Sequence, residues 1–470
     1  MAENIIINEI LNKALFYHKN KKFKKAAIEY SKLIKIKPNF IDAIFNLGNI
    51  YIQLKEYKLA IFNFEKVINL KKNDEKTFNS LAITHYYLKD IEKAKYYFQK
   101  IIDLNKNNYQ AYYNLGNILN EEEKYEDAIK LFEKCIKINP NHSNAYNNMG
   151  LAYNKLSLTD KAKKYLEMSL KINPNNFYSY NNLGILYDNT YNTIKARENF
   201  NNAIKINPLF LDSWWNLHCC SKNIDEALEI LEKVYQIDNR HIKAKIMISA
   251  LKGFKGDLKD YKQLIKSNDR DHPYLRSVKW IFSLNKLPKL FFNKWDFFDY
   301  VIISSEKNRP FYEFGVRFGH SFKYLIKSFK KGYGFDTFTG LPEDWHHSKP
   351  KGTYSSFGII PQIEGGEFIV GEFEHTLPKF FLEKRKIASL INFDADLYSS
   401  TICALNHSYP IIDNKTILVF DEFLMNSNWE KDEFKALNEF CENRKLSYEV
   451  IAVSFYTKQL AVRIIKNKKI

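Results

Sequence analysis

Small residues recur at Ala14, Gly48, Ala82, Gly116, Gly150 and Gly184, each 34 positions after the last. Twelve residues behind each stands an alanine: Ala26, Ala60, Ala94, Ala128, Ala162 and Ala196. Four further on stands a bulky residue: Tyr30, Phe64, Phe98, Phe132, Leu166 and Phe200. Prolines fall in phase at Pro38, Pro140, Pro174 and Pro208. No other feature restricts the fold so tightly. A long fixed period means a stack of like units that bury a continuous core between neighbours, none of them stable alone. Small residues let the two helices of a unit approach closely, and the bulky positions fill the space between units.

This spacing resembles the tetratricopeptide repeat, across about residues 7 to 240. Asparagines sit on the first helix of several units, at Asn46, Asn49, Asn114, Asn117, Asn148, Asn182 and Asn216. The resemblance places that helix on the concave face of a solenoid. A row of amides there could bind the backbone of an extended protein or peptide partner, or could bond one repeat to the next. After Pro208 the register breaks, with Trp214, Trp215 and Leu217 opening a shorter unit. An atypical last unit is expected where a stack is capped or handed to another domain. The charged joint Lys266 to His272 marks the predicted boundary. We expect a repeat solenoid over 1–265, a linker and helical cover over 266–300, and a catalytic domain over 301–470. The aromatic stretch Tyr274 to Val301 would cover the following sheet or act as a substrate lid.

Composition excludes more than it assigns. The chain of 470 residues is long enough for two or three domains with real cores. Its net charge of +17 is spread along the sequence, with no basic stripe or motif of a nucleic-acid binder. Five cysteines, Cys135, Cys219, Cys220, Cys403 and Cys441, fit neither a disulfide framework nor a zinc site. No signal-like N-terminus and no run of 18 apolar residues is present, so a cytoplasmic protein without a membrane span is expected.

In the second half strands and helices alternate. Strands are predicted at 311–316, 332–335, 367–371, 387–393 and 416–420, and a tight turn joins two closing strands at 448–454 and 459–465. Five parallel strands plus an antiparallel C-terminal hairpin is the plan of class I methyltransferases. The predicted class is therefore α + α/β: an all-α solenoid, then a Rossmann-like, mostly parallel seven-stranded sheet. The first strand runs into Glu313-Phe314-Gly315-Val316-Arg317-Phe318-Gly319-His320-Ser321. Glycines at a strand-to-helix turn let a backbone approach a ligand. An acid after the next strand, Asp336, stands where dinucleotide sheets hold a ribose. The run Ile387 to Phe393 ends in Asp394-Ala395-Asp396, and Thr416 to Phe420 ends in Asp421-Glu422. Strand alternation would put Asp394 and Asp396 on one side. Four carboxylates at two strand mouths would repel one another unless a cation or a shared proton intervened.

With Phe335-Asp336-Thr337-Phe338-Thr339-Gly340-Leu341-Pro342 added, residues 300–465 resemble the macrocin-O-methyltransferase-like family. That resemblance implies an S-adenosylmethionine-dependent O-methyltransferase acting on a sugar or other small hydroxyl acceptor, a glycan among the candidates. Residue by residue it implies Glu313, Gly315, Gly319 and Ser321 beside the methionine end of the cofactor. It implies Asp336 on the ribose, and Gly371, Glu372 and Phe373 near the adenine. Asp394 would be the general base, and Asp396, Asp421 and Glu422 would hold Mg²⁺. Arg317 stands where many class I enzymes have glycine, and Glu422 replaces a customary aspartate. Trp345, His346 and His347 could contact substrate, and residues 352–366 would cover the pocket. Two rivals remain. Asp394-Ala395-Asp396 is also the spacing of a metal-dependent glycosyltransferase, and a non-catalytic repeat scaffold is the other.

Overall fold

The computed structural model describes residues 2–345 and 349–465. It contains two compact units, Met1–Ser179 and Tyr180–Ile470. The first is built of paired helices: Ala2–Lys19 with Phe23–Ile36, Ile41–Gln53 with Tyr57–Leu70, Glu75–Tyr87 with Ile91–Leu104, Tyr109–Glu121 with Tyr125–Ile138, and Ser143–Lys155 with Thr159–Ile172. The 34-residue period has a direct steric basis. A Cβ on Gly48 would lie 2.5 Å from the Phe64 ring, one on Gly116 2.7 Å from Phe132, and one on Gly150 2.6 Å from Leu166. The small position of each first helix is thus the seat of the bulky residue on the second. Both are buried, with the intervening alanines. Part of the asparagine row bonds between repeats: Asn148 Nδ2 donates to Asn117 Oδ1 at 2.7 Å.

The second unit continues with further helices, among them Leu211–Leu217, Ile224–Ile237, Ile242–Phe254, Lys259–Leu264 and Pro273–Phe282. Its sheet has strands β1 (Lys289–Phe291), β2 (Phe311–Phe314), β3 (Gly332–Asp336), β4 (Gly366–Val370), β5 (Leu390–Phe393), β6 (Ile417–Phe420), β7 (Ser447–Ser454) and β8 (Leu460–Ile465). They lie in the order β1-β7-β8-β6-β5-β2-β3-β4. β8 runs antiparallel to β6 and β7, and the other pairings are parallel. The expected seven strands are present, and β1 is an eighth. It pairs with β7 at the edge, inside the segment read as linker and helical cover. Three residues are too few for a period, so the sequence did not reveal it.

From β2 the chain steps outward one way to β3 and β4, then returns to lay β5 and β6 on the other side. That reversal opens a crevice at the carboxyl ends of β2 and β5, where open α/β sheets bind ligands. Four phenylalanines tie these strands in register: Phe335, Phe314, Phe393 and Phe420, on β3, β2, β5 and β6. Neighbouring rings stack with centroids 4.9, 5.4 and 4.9 Å apart.

Candidate active site

The phenylalanine row brings the strand exits into line. Asp336 ends β3 itself. Gly315, Asp394 and Asp421 leave β2, β5 and β6 one residue beyond the stack, at one edge of the sheet. Gly315 has φ +89°, and a Cβ there would fall 1.8 Å from the Asp394 carbonyl oxygen. Glycine is required because the exit of β5 passes against it. Asp336 fixes the same turn. Its Oδ2 accepts from the Val316 and Arg317 amides, both at 2.7 Å, and its Oδ1 from the Phe338 amide at 2.6 Å. Gly319, with φ +73°, caps the short helix His320–Leu325. Gly371, with φ +134°, donates its amide to the Asp336 carbonyl at 2.9 Å, and Phe373 packs on Phe314. Glu372 precedes the helix Phe373–Phe381. The expected cofactor residues therefore gather around the exits of β2, β3 and β4.

Glu313 lies inside this group, fully buried on β2. Its Oε1 accepts from Ser321 Oγ and from Asn392 Nδ2 (3.0 Å). Its Oε2 has no hydrogen-bond partner among the described residues. Burial raises the carboxyl to about 7, although the two donors and Lys294 pull the other way. A buried oxygen without a donor is costly, and here it lies next to the glycine turn. An ammonium group such as the α-amino end of S-adenosylmethionine matches it in charge, so the residues fit that cofactor.

The acids are arranged differently from the expectation. β5 ends at Phe393, and Asp396 has φ +58°, so strand alternation stops before either aspartate. The β5–β6 register nevertheless sets Asp394 beside Asp421, and Asp396 lies in the field of Glu422 and Asp421, so the four acids gather as expected. Asp394 is pushed well above the carboxylate range by burial and then Asp421, with Lys294 opposing. Asp396 is raised to about 8 by burial, then by Glu422 and Asp421. Glu433 is a further carboxyl in the group, fully buried at the start of the helix Glu433–Asn443. Burial and these same acids push it well up.

The cations that relieve the cluster are lysines. Lys294 Nζ lies 3.0 Å from Asp421 Oδ1, which also accepts from Gln459 Nε2 at 2.6 Å. Lys458 Nζ donates to both oxygens of Glu422, at 3.0 and 2.7 Å. Among the described residues no group of three or more His, Cys, Asp and Glu side chains is arranged to hold a metal ion. Asp396, Asp421 and Glu422 thus do not fit the Mg²⁺ role expected of them, because two of the three already face ammonium groups. Trp345 bonds to Asp432. His346 and His347, the other expected substrate contacts, lie outside the described residues. Lys294, Lys458, Gln459, Asn392 and Glu433 were not anticipated. They are scattered along the chain, and no local motif marks any of them.

Models of the tetratricopeptide repeat match residues 10–40, 41–74, 76–108, 109–142, 143–176 and 165–198. The model described as macrocin-O-methyltransferase (TylF) matches residues 347–458. The chain carries both a tetratricopeptide-repeat array and a macrocin-O-methyltransferase segment. That segment holds β4 to β7, the acids and Lys458, whereas Glu313, the glycine turn and Lys294 precede it. No curated protein matches the chain. Similar solved structures include the MamA protein, 26% identical over 37% of this chain and 94% of that one, with a TM-score of 0.34. A tetratricopeptide repeat protein from Parabacteroides merdae is 13% identical over 52% of this chain and 98% of that one, TM-score 0.46. PilF of Pseudomonas aeruginosa is 19% identical over 45% and 97%, TM-score 0.39. Among the described residues no helix is long and apolar enough to cross a membrane.

Proposed function

We propose that this chain is an S-adenosylmethionine-dependent O-methyltransferase acting on a hydroxyl of a sugar-containing or other small acceptor. In this reading the repeat array recruits the acceptor or a protein partner. The observation that carries it is the unpartnered Glu313 Oε2, buried behind the glycine turn in a chain with a macrocin-O-methyltransferase segment. Glu313 and Ser321 would hold the amino-acid end of the cofactor. Asp336, once its three amides are counted, keeps one lone pair, on Oδ1, for a ribose hydroxyl. Gly371, Glu372 and Phe373 flank the adenine. When bound, S-adenosylmethionine supplies a methyl group on a sulfonium.

The acceptor hydroxyl is a poor nucleophile while it keeps its proton. Asp394 would take that proton, leaving the acceptor oxygen free to receive the methyl group that the cofactor would supply. Its raised pKa makes Asp394 a stronger base once ionised. No step is routed through Mg²⁺, because two of the three acids expected to bind it are engaged by lysines. The glycine turn after β2 and the match to the macrocin-O-methyltransferase model disfavour the glycosyltransferase reading. The five unbridged cysteines accord with the cytoplasmic location we propose.

Calorimetry on the full chain, with S-adenosylmethionine against a panel of nucleotide sugars, tests the reading. Saturable binding of the former is expected. Glu313→Ala should weaken it by about 1.5–3 kcal/mol, the scale of a hydrogen bond to a charged group. Binding of a nucleotide sugar alone would replace the methyltransferase with the glycosyltransferase. Methyl-labelled cofactor in a cell extract would then identify the acceptor.

A further inference from the structure

We propose that the ammonium of Lys294, with Lys458 beside it, is the fixed cation of this acidic site, and that the chain binds no divalent metal there. It rests on the methyltransferase reading only in taking this acidic cluster as the active site.

Lys294 is held in place by the residues on either side of it. Asn293, 1% exposed, caps the helix Lys294–Ile303, its Oδ1 accepting from the Trp295 and Asp296 amides at 3.0 and 2.8 Å. Buried Trp295 donates its indole N–H to the Asp188 carbonyl at 2.6 Å. Immediately before them, β1 is hydrogen-bonded to the sheet edge. The lysine is thereby aimed at Asp421, with Asp394 and Glu313 in the field of its charge. A flexible surface lysine would have no such framing.

The remaining groups complete the arrangement. Lys458 lies in the β7–β8 turn with φ +63° and takes both oxygens of Glu422. Gln459 is fully buried and accepts from Thr457 Oγ1 through its Oε1, which directs its amide nitrogen at Asp421. Mg²⁺ demands several oxygen ligands at about 2.0–2.1 Å in near-octahedral geometry. Here one oxygen of Asp421 already accepts two donors, and Glu422 is turned to its own lysine. A divalent ion would have to displace two ammonium groups or sit among them against their repulsion. Lys294 also lies outside the segment that matches the macrocin-O-methyltransferase model, so that match does not account for it.

The test is metal binding by the full chain after dialysis against a chelator. Titrated with MgCl2 and then MnCl2 in a calorimeter, the wild type should give no saturable heat. Its thermal midpoint should be the same in chelator and in millimolar Mg²⁺. Lys294→Met should lower the midpoint by several degrees in chelator, and Mg²⁺ should recover part of that loss by entering the vacated place. Lys294→Arg should behave as wild type. If Lys294→Met does not fold, the wild-type and Lys294→Arg titrations still decide. Saturable binding of either metal by wild type, abolished in Asp421→Asn, would overturn the proposal. So would a Lys294→Met variant with an unchanged midpoint. A chain that binds neither metal nor S-adenosylmethionine would end the methyltransferase reading and leave this one standing.

Discussion

Glu313 shows how much one buried side chain can set. A carboxyl raised from about 4.5 to about 7 binds its proton more tightly folded than unfolded. The stabilisation from that proton is complete below the unfolded value and is lost as pH rises through the folded one. We therefore expect the thermal midpoint of the chain without cofactor to fall between about pH 4.5 and 7, with a contribution of about 3 kcal/mol from this group. Glu313→Gln keeps an oxygen for Ser321 and Asn392 and should flatten that part of the profile. A variant that parallels wild type would assign the slope to other acids. As the general base proposed above, Asp394 would bear on activity with the opposite sense. Its base form is populated only as pH climbs through its raised pKa, so turnover should rise toward alkaline pH. Asp394→Asn should lower it about 10²–10⁴-fold, the usual range for a general base. At this scale a residue's place in the fold was readable where it sits in a motif, as with Glu313, Gly315 and Asp394 at the exits of β2 and β5. It was unreadable where partners arrive from elsewhere, as with Lys294 beside Asp421, because spacing along a chain carries no record of which distant side chain neutralises an acid.

The repeat helices add a regularity at the level of the element. Lys21, Lys55, Lys89, Glu123, Ser157 and Tyr191 all have φ between +55° and +64° and are themselves 34 residues apart. Each turns the first helix of a unit into the second through a left-handed residue, a place that favours glycine. None is a glycine, so the period was visible in the small residues and hidden here. Lys89→Gly should relieve the backbone and raise stability by about 0.5 kcal/mol, once the extra freedom of an unfolded glycine is subtracted. The measurement is a shift of the denaturant midpoint at unchanged slope. Tyr191→Gly makes the same backbone change and should destabilise. Tyr191 Oη donates to the His320 carbonyl at 2.6 Å, and its ring packs edge-on against Trp295. A stabilised Tyr191→Gly would show that those contacts contribute little. The strands from β2 to β8 were legible from their apolar runs, and the three-residue β1 was not.

The charged joint at 266–272 was the sequence's best mark of a boundary. An exposed loop, however, says nothing about whether the helices around it share a core. In the unit Tyr180–Ile470 one cluster of buried side chains includes Ala227, Leu231, Val234, Ile246 and Leu251 from the late repeat helices. It also includes Phe314, Phe335, Phe393 and Phe420 from the sheet. Truncation can measure what that continuity means. A fragment of residues 1–176 ends with a matched repeat inside the first compact unit, and should give a helical circular dichroism spectrum and a cooperative melt. A fragment of 1–265 keeps the late helices and deletes the sheet they pack on. Their apolar faces would then meet water, at about 25 cal/mol for each Å² uncovered. It should bind a hydrophobic dye strongly and sediment as aggregates, although it contains more repeats than the shorter fragment. A monomeric, dye-silent 1–265 with a cooperative melt would show that those faces close on one another, and would make the solenoid an independent folding unit up to the charged joint.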